Sequence, residues 1–113
     1  LEYLTKASVL SPNSTKPLQL KAISYVQTGA LDKAIEVYQK CVQIEPGNSG
    51  FWKLLGDLYY EKEDFEKATQ NYEKAIKLSP NQLGLYVAIG EAFLEKKDYA
   101  KSRTYFQEAI QRG

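Results

Sequence analysis

Pro12, Pro46 and Pro80 stand 34 residues apart, and this period constrains the chain more than anything else in its 113 residues. A fixed period of that length marks an array of one supersecondary unit, each burying its apolar face against its neighbours. The period extends beyond proline. Ala22, Gly56 and Gly90 are small; Tyr25, Tyr59 and Phe93 are aromatic; Leu31, Phe65 and Tyr99 are large. Lys33, Lys67 and Lys101 are identical, and Ala34, Ala68 and Ser102 are small again. Tyr38, Tyr72 and Phe106 are aromatic, Cys41, Ala75 and Ala109 small, and Val42, Ile76 and Ile110 β-branched. With proline these make nine aligned columns in which size and polarity are kept.

The clearest unit spans residues 49–82. Trp52, Leu55, Gly56 and Tyr59 fall at i, i+3, i+4 and i+7, one face of an α-helix. Phe65, Ala68, Tyr72, Ala75 and Ile76 repeat that spacing in the second half. The charged stretch Glu61–Asp64 between them is too short to wander, so each unit reads as two antiparallel helices joined by a tight turn. Proline then stops the second helix, because it cannot continue one and pushes the preceding residue out of the α region. Pro17 lies instead near a helix start, where a missing N–H costs nothing. Gly56 and Gly90 sit inside helices, where glycine costs about 1 kcal/mol against alanine. Close approach of a second helix is the expected compensation. Trp52 is expected to be the largest buried anchor.

These residues resemble the tetratricopeptide repeat (TPR) family, whose 34-residue pattern places Trp, Leu, Gly, Tyr, Ala, an aromatic, Ala and Pro at fixed offsets. Unit 49–82 carries Trp52, Leu55, Gly56, Tyr59, Ala68, Tyr72, Ala75 and Pro80. Unit 83–113 carries Tyr86, Ile89, Gly90, Phe93, Ser102, Phe106 and Ala109. Unit 15–48 carries Leu18, Ala22, Tyr25, Ala34, Tyr38, Cys41 and Pro46, with Lys21 where the family prefers Leu, a looser first helix pair. Residues 1–14 fit only the back half of a unit, through Leu4, Ala7, Leu10 and Pro12. The resemblance implies an all-α, right-handed superhelical solenoid in one domain over 1–113, with about three repeats after an N-terminal half-repeat. A period that runs off both ends is what an excerpt of a longer protein would show.

Composition narrows the chemistry. There is no histidine, which removes Ser–His and Cys–His nucleophilic pairs and most zinc sites. The one cysteine, Cys41, sits late in its helix in a small packed column, as a small buried apolar residue would. Neither a P-loop nor a dinucleotide fingerprint is present, and Glu61–Asp64 lacks the alternating ligands of a calcium loop. No enzyme, cofactor or metal is therefore expected. A net charge of +1 with interspersed signs lacks the basic face of a nucleic-acid binder. No apolar run approaches the roughly 18 residues of a membrane helix. Compartment is not legible.

The resemblance implies that partners bind along a concave groove lined by the first helix of each repeat. The groove candidates are Gln19, Leu20, Ile23, Val26 and Gln27 in the first unit. They are Lys53, Leu54, Asp57, Tyr60 and Glu61 in the second, and Val87, Glu91, Leu94 and Glu95 in the third. The first group is apolar with polar edges. The later groups mix apolar residues with four acids, pointing to a peptide or helix that is both basic and apolar. Family members that clamp a chaperone tail's carboxylate use Lys, Asn and Arg; here the matching columns hold Gln19, Ile23, Leu54, Gly84 and Ala88. Shifting by one repeat gives Lys53 and Asp57, and an acid there repels a carboxylate, so no chaperone-tail clamp is expected. The alternative function is a structural or self-assembly module, pairing through Leu4 and Leu10 at one end and Phe106 and Ile110 at the other.

Overall fold

The computed structural model describes residues 15–112, which form six helices with no strand among them. In order these are α1 (Lys16–Gln27), α2 (Leu31–Ile44), α3 (Ser49–Glu61), α4 (Phe65–Leu78), α5 (Leu83–Glu95) and α6 (Tyr99–Arg112). The half-repeat expected over 1–14 lies outside the described residues. The chain divides after Pro46 into two compact units, one holding α1 and α2, the other α3 to α6.

Every hairpin turns in the same way. At the end of α3, Asp64 N–H donates to Tyr59 C=O and Glu63 N–H to Tyr60 C=O. The same pair joins Ala30 to Tyr25 and Gly29 to Val26, and again Asp98 to Phe93 and Lys97 to Leu94. This is the Schellman closure, which needs a left-handed residue just past the helix. Gly29, Glu63 and Lys97 hold that position, with φ of 82°, 63° and 65°. The next residue begins the following helix: Asp64 and Asp98 accept from the N–H of Lys67 and Lys101 through their side chains. Asp64, the last residue of the charged turn between the two helices, is thus an N-cap. Ala30 occupies the same place before α2 without a capping side chain.

Pro17 lies in the first turn of α1, and Pro46 and Pro80 follow the ends of α2 and α4, as stops. In the first unit Ala22 is the only fully buried residue of α1, whereas α2 buries Ala34, Ile35, Val37, Tyr38, Cys41 and Val42. In the second unit Ala68, Tyr72 and Ala75 of α4 share one core with Leu85, Ile89 and Phe93 of α5. Gly56 and Gly90 answer the close approach: a Cβ on them would lie 2.7 Å from the Tyr72 ring and 2.8 Å from the Phe106 ring. Trp52 departs from expectation. It is half-buried, packed against the core with Lys74 over its ring; among the described residues the largest fully buried side chains are Leu55, Leu85, Ile89 and Cys41. Large aromatic side chains are often mostly rather than fully buried, and Trp52 packs against that core with part of its surface exposed.

Candidate functional site

Helical periodicity places the core residues of α3 on one stripe and leaves Lys53, Leu54, Asp57, Tyr60 and Glu61 on another. Leu55, Gly56 and Leu58 are buried, while Leu54 and Glu61 are exposed and Lys53, Asp57 and Tyr60 half-buried. In α5, Leu85, Ile89 and Phe93 are buried, and Val87, Glu91, Leu94 and Glu95 are exposed. Tyr60 is partly buried against the core that α4 and α5 share. Burial raises its hydroxyl's pKa, and Glu95 and then Glu91 raise it further, so both carboxylates act on the ring's polar end. The Tyr60 ring itself packs edge-on against Phe65, with centroids 5.2 Å apart.

Asp57 stands apart from the other acids. Its Oδ1 accepts the Tyr72 hydroxyl, and its Oδ2 lies 3.0 Å from Lys53 Nζ. The Tyr72 pKa is raised, first by burial and then by the bond to Asp57. Tyr72 was legible in the sequence only as a packing aromatic. The difference between Tyr72 and Phe106 in one column is the signal that a hydroxyl has separate work there.

The first-unit candidates are also surface residues. Leu20, Ile23 and Val26 form an exposed apolar stripe on α1, with Gln27 exposed at its end. Gln19 is held: its amide donates to Thr15 Oγ1 at 3.0 Å, and Thr15 in turn donates to Glu45. All the sequence candidates are therefore at least partly accessible. The second unit brings Asp57, Tyr60, Glu91 and Glu95 into one electrostatic neighbourhood.

Cys41 is wholly buried, and desolvation followed by the Glu45 charge pushes its thiol up, the reverse of what a nucleophile needs. Among the described residues no group of His, Cys, Asp and Glu could hold a metal, and no helix is long and apolar enough to cross a membrane.

Models of the tetratricopeptide repeat match residues 25–70, 56–97 and 83–112, three overlapping stretches that together run along most of the chain. No curated protein matches the sequence. Among solved structures, MamA superposes with a TM-score of 0.85 at 23% identity, over 92% of this chain and 61% of its own. The chain thus spans about three fifths of MamA's length. The first TPR of Spaghetti (RPAP3), bound to the HSP90 peptide SRMEEVD, gives 0.79 at 19% identity, over 87% of this chain and 78% of its own. The TPR2B domain of yeast Sti1 in complex with pHsp70 gives 0.80 at 18%, over the same shares. At such identities the likeness is one of fold.

Proposed function

The chain belongs to the tetratricopeptide repeat family, and from that premise we propose that it is a non-catalytic interaction scaffold. It takes a basic, apolar peptide or helix of a partner protein on the outward stripe of α3 and α5. The supporting observation is the exposed face of α5, where Val87 and Leu94 accompany the carboxylates of Glu91 and Glu95. Two like charges at i, i+4 give a helix no local benefit and cost it slightly. The fold gains nothing from this placement, whereas a cationic partner would. The exposed apolar stripe Leu20, Ile23 and Val26 on α1, with Gln19 and Gln27 at its edges, offers a second, neutral stretch of docking surface.

Two structures of similar fold carry a peptide or partner, one of them the acid-rich SRMEEVD. Their likeness supports use of this class of surface for binding. The chemistry here is opposed, since Asp57, Glu61, Glu91 and Glu95 would repel such a sequence. A peptide array probed with this chain tests the proposal. Enrichment of sequences pairing Lys or Arg with Leu, Ile or Val is expected; enrichment of acidic sequences, or of none, would sink it.

One observation favours a second reading, a self-assembly module. Ile110 on α6 is 76% exposed, whereas Ile76, its counterpart on α4, packs against the core. A second copy seated on that face would make the mass seen by light scattering rise with concentration; a constant monomer mass excludes it.

A further inference from the structure

Two hydroxyls meet where the first hairpin of the second unit begins and ends. Ser49 opens α3 and Ser79 caps the end of α4, and their Oγ atoms lie 2.9 Å apart. One period earlier the same two columns are filled differently: Thr15 Oγ1 donates to Glu45 Oε2 at 3.2 Å. This pair of positions thus takes either two neutral hydroxyls or a hydroxyl and an anion. Ser79 is followed by Pro80, and Ser11, outside the described residues, by Pro12; these are the chain's two Ser–Pro steps. Going beyond the binding surface described above, we propose that Ser79 is a phosphorylation site for a proline-directed kinase. Its phosphate takes the place that the Glu45 carboxylate holds in the first unit and accepts a hydrogen bond from the Ser49 hydroxyl.

Three observations carry this. The backbone at Ser79 is extended, with φ of −138° and ψ of 78°, as a following proline favours and as a kinase cleft takes its substrate. Lys77, Leu78 and Pro80 to Gln82 are exposed and Ser79 is half-buried. A neutral bond between two hydroxyls at the surface is weak, so releasing Ser79 to an enzyme costs little. Finally, the Thr15–Glu45 pair shows that this fold accepts a negative charge at the end of a second helix, although the helix dipole opposes it. Arg112 Nη1 donates to Pro80 C=O at 3.3 Å, which fixes a guanidinium one residue beyond the new anion. In the transfer step the γ-phosphorus of ATP passes to Ser79 Oγ. The bond to the bridging oxygen breaks, the new O–P bond forms, ADP leaves, and the hydroxyl proton goes to the kinase's catalytic carboxylate.

Incubating the intact chain with ATP and a purified mitogen-activated protein kinase tests the assignment, beside Ser79→Ala and a synthetic peptide of residues 74–84. Site-localising mass spectrometry should find phosphate at Ser79 of the folded chain and lose that label in Ser79→Ala. Phosphorus NMR across pH then reads the tie to Ser49. A hydrogen bond to the charged form should hold the phosphate's second ionisation below its usual pKa of about 6, and Ser49→Ala should return it toward that value. In urea, Ser49→Ala should shift the midpoint about twice as far in the phosphorylated chain as in the unmodified one, because a charged acceptor has replaced a neutral one. Circular dichroism on each form checks the fold. If the peptide is labelled and the folded chain is not, the fold closes the site and the proposal is overturned; labelling of neither overturns it as well. A phosphorylated chain that no longer folds would show that the phosphate cannot stand where Glu45 stands. A folded one whose titration ignores Ser49→Ala would overturn the tie to Ser49.

Discussion

Tyr72 on α4 donates its buried hydroxyl to Asp57 on α3, tying the two helices of one hairpin through a polar bond at the edge of an apolar core. Phe106 shows that the column accepts a ring without a hydroxyl. Tyr72→Phe should therefore keep the fold and cost about 1 kcal/mol, the usual net worth of such a bond. Urea denaturation of both single variants and of Tyr72→Phe with Asp57→Asn measures the coupling; strictly additive losses would mean that the bond contributes nothing.

A second tyrosine leads to a pH prediction. Burial, followed by donation to Glu73 at 2.9 Å, pushes the Tyr105 hydroxyl up to about 12 from its ordinary 10.0. Because the folded chain holds this proton more tightly than the unfolded one, the stabilisation is complete below pH 10.0 and is lost as pH rises toward about 12. Thermal midpoints should fall across that window, and fall less steeply in Tyr105→Phe. Parallel curves would overturn the assignment.

Glycines in one helix system should respond oppositely to alanine. A Cβ at Gly56 meets the Tyr72 ring at 2.7 Å, whereas one at Gly84, in the first turn of α5, meets nothing within 4 Å. Overpacking costs about 1–3 kcal/mol, more than the roughly 1 kcal/mol that helix propensity returns. Gly56→Ala should lower the denaturation midpoint, and Gly84→Ala should raise it or leave it unchanged. A rise in Gly56→Ala would show that the ring moves aside freely.

At the hairpin joints, side chains sit where glycine is favoured. Glu63 and Lys97 adopt the left-handed conformation that Gly29 adopts in the first unit. Glu63→Gly and Lys97→Gly should each stabilise by about 1 kcal/mol, the cost an L side chain meets there. Ala30→Asp should add a similar amount, about 1 kcal/mol, by restoring the cap that Asp64 and Asp98 provide. Denaturant midpoints that do not move would mean that these turns relax at no cost.

Isothermal titration with the peptide SRMEEVD, the partner of one similar structure, should show no saturable heat. Saturable binding would establish that the acids of α3 and α5 do not govern partner choice.

The helices were legible because their cause is local. Residues 49–82 show two helical stripes and a stop, and α3 and α4 fall where those stripes lie. Gly56 was legible as a point of close approach because a glycine in a helix needs a reason. The missed features are relations between distant residues. No spacing rule connects Asp57 to Tyr72, fifteen positions away on another helix. The half-burial of Trp52 is a matter of tertiary packing against the core of α4 and α5, which helical spacing does not specify. Lys53 and Asp57, separated by one helical turn, are the exception: their i, i+4 spacing alone permits the ion pair that the structure contains.

The three-residue joint inside each hairpin has a consequence for how such a chain can change. Asp64 closes α3 with its backbone and opens α4 with its side chain, so the two helices share a residue. Adding or removing one position there would rotate the second helix against the first and misplace its packing side chains from Phe65 to Ile76. The segments from Glu45 to Asn48 and from Ser79 to Gln82 are tied by other means: Ser79 Oγ lies 2.9 Å from Ser49 Oγ, and Pro80 C=O accepts from Tyr86 and Arg112, but no Schellman residue there also caps the next helix. Variation in length is therefore to be sought between units, and any graft, tag or evolutionary insertion that this chain accepts should enter at those seams.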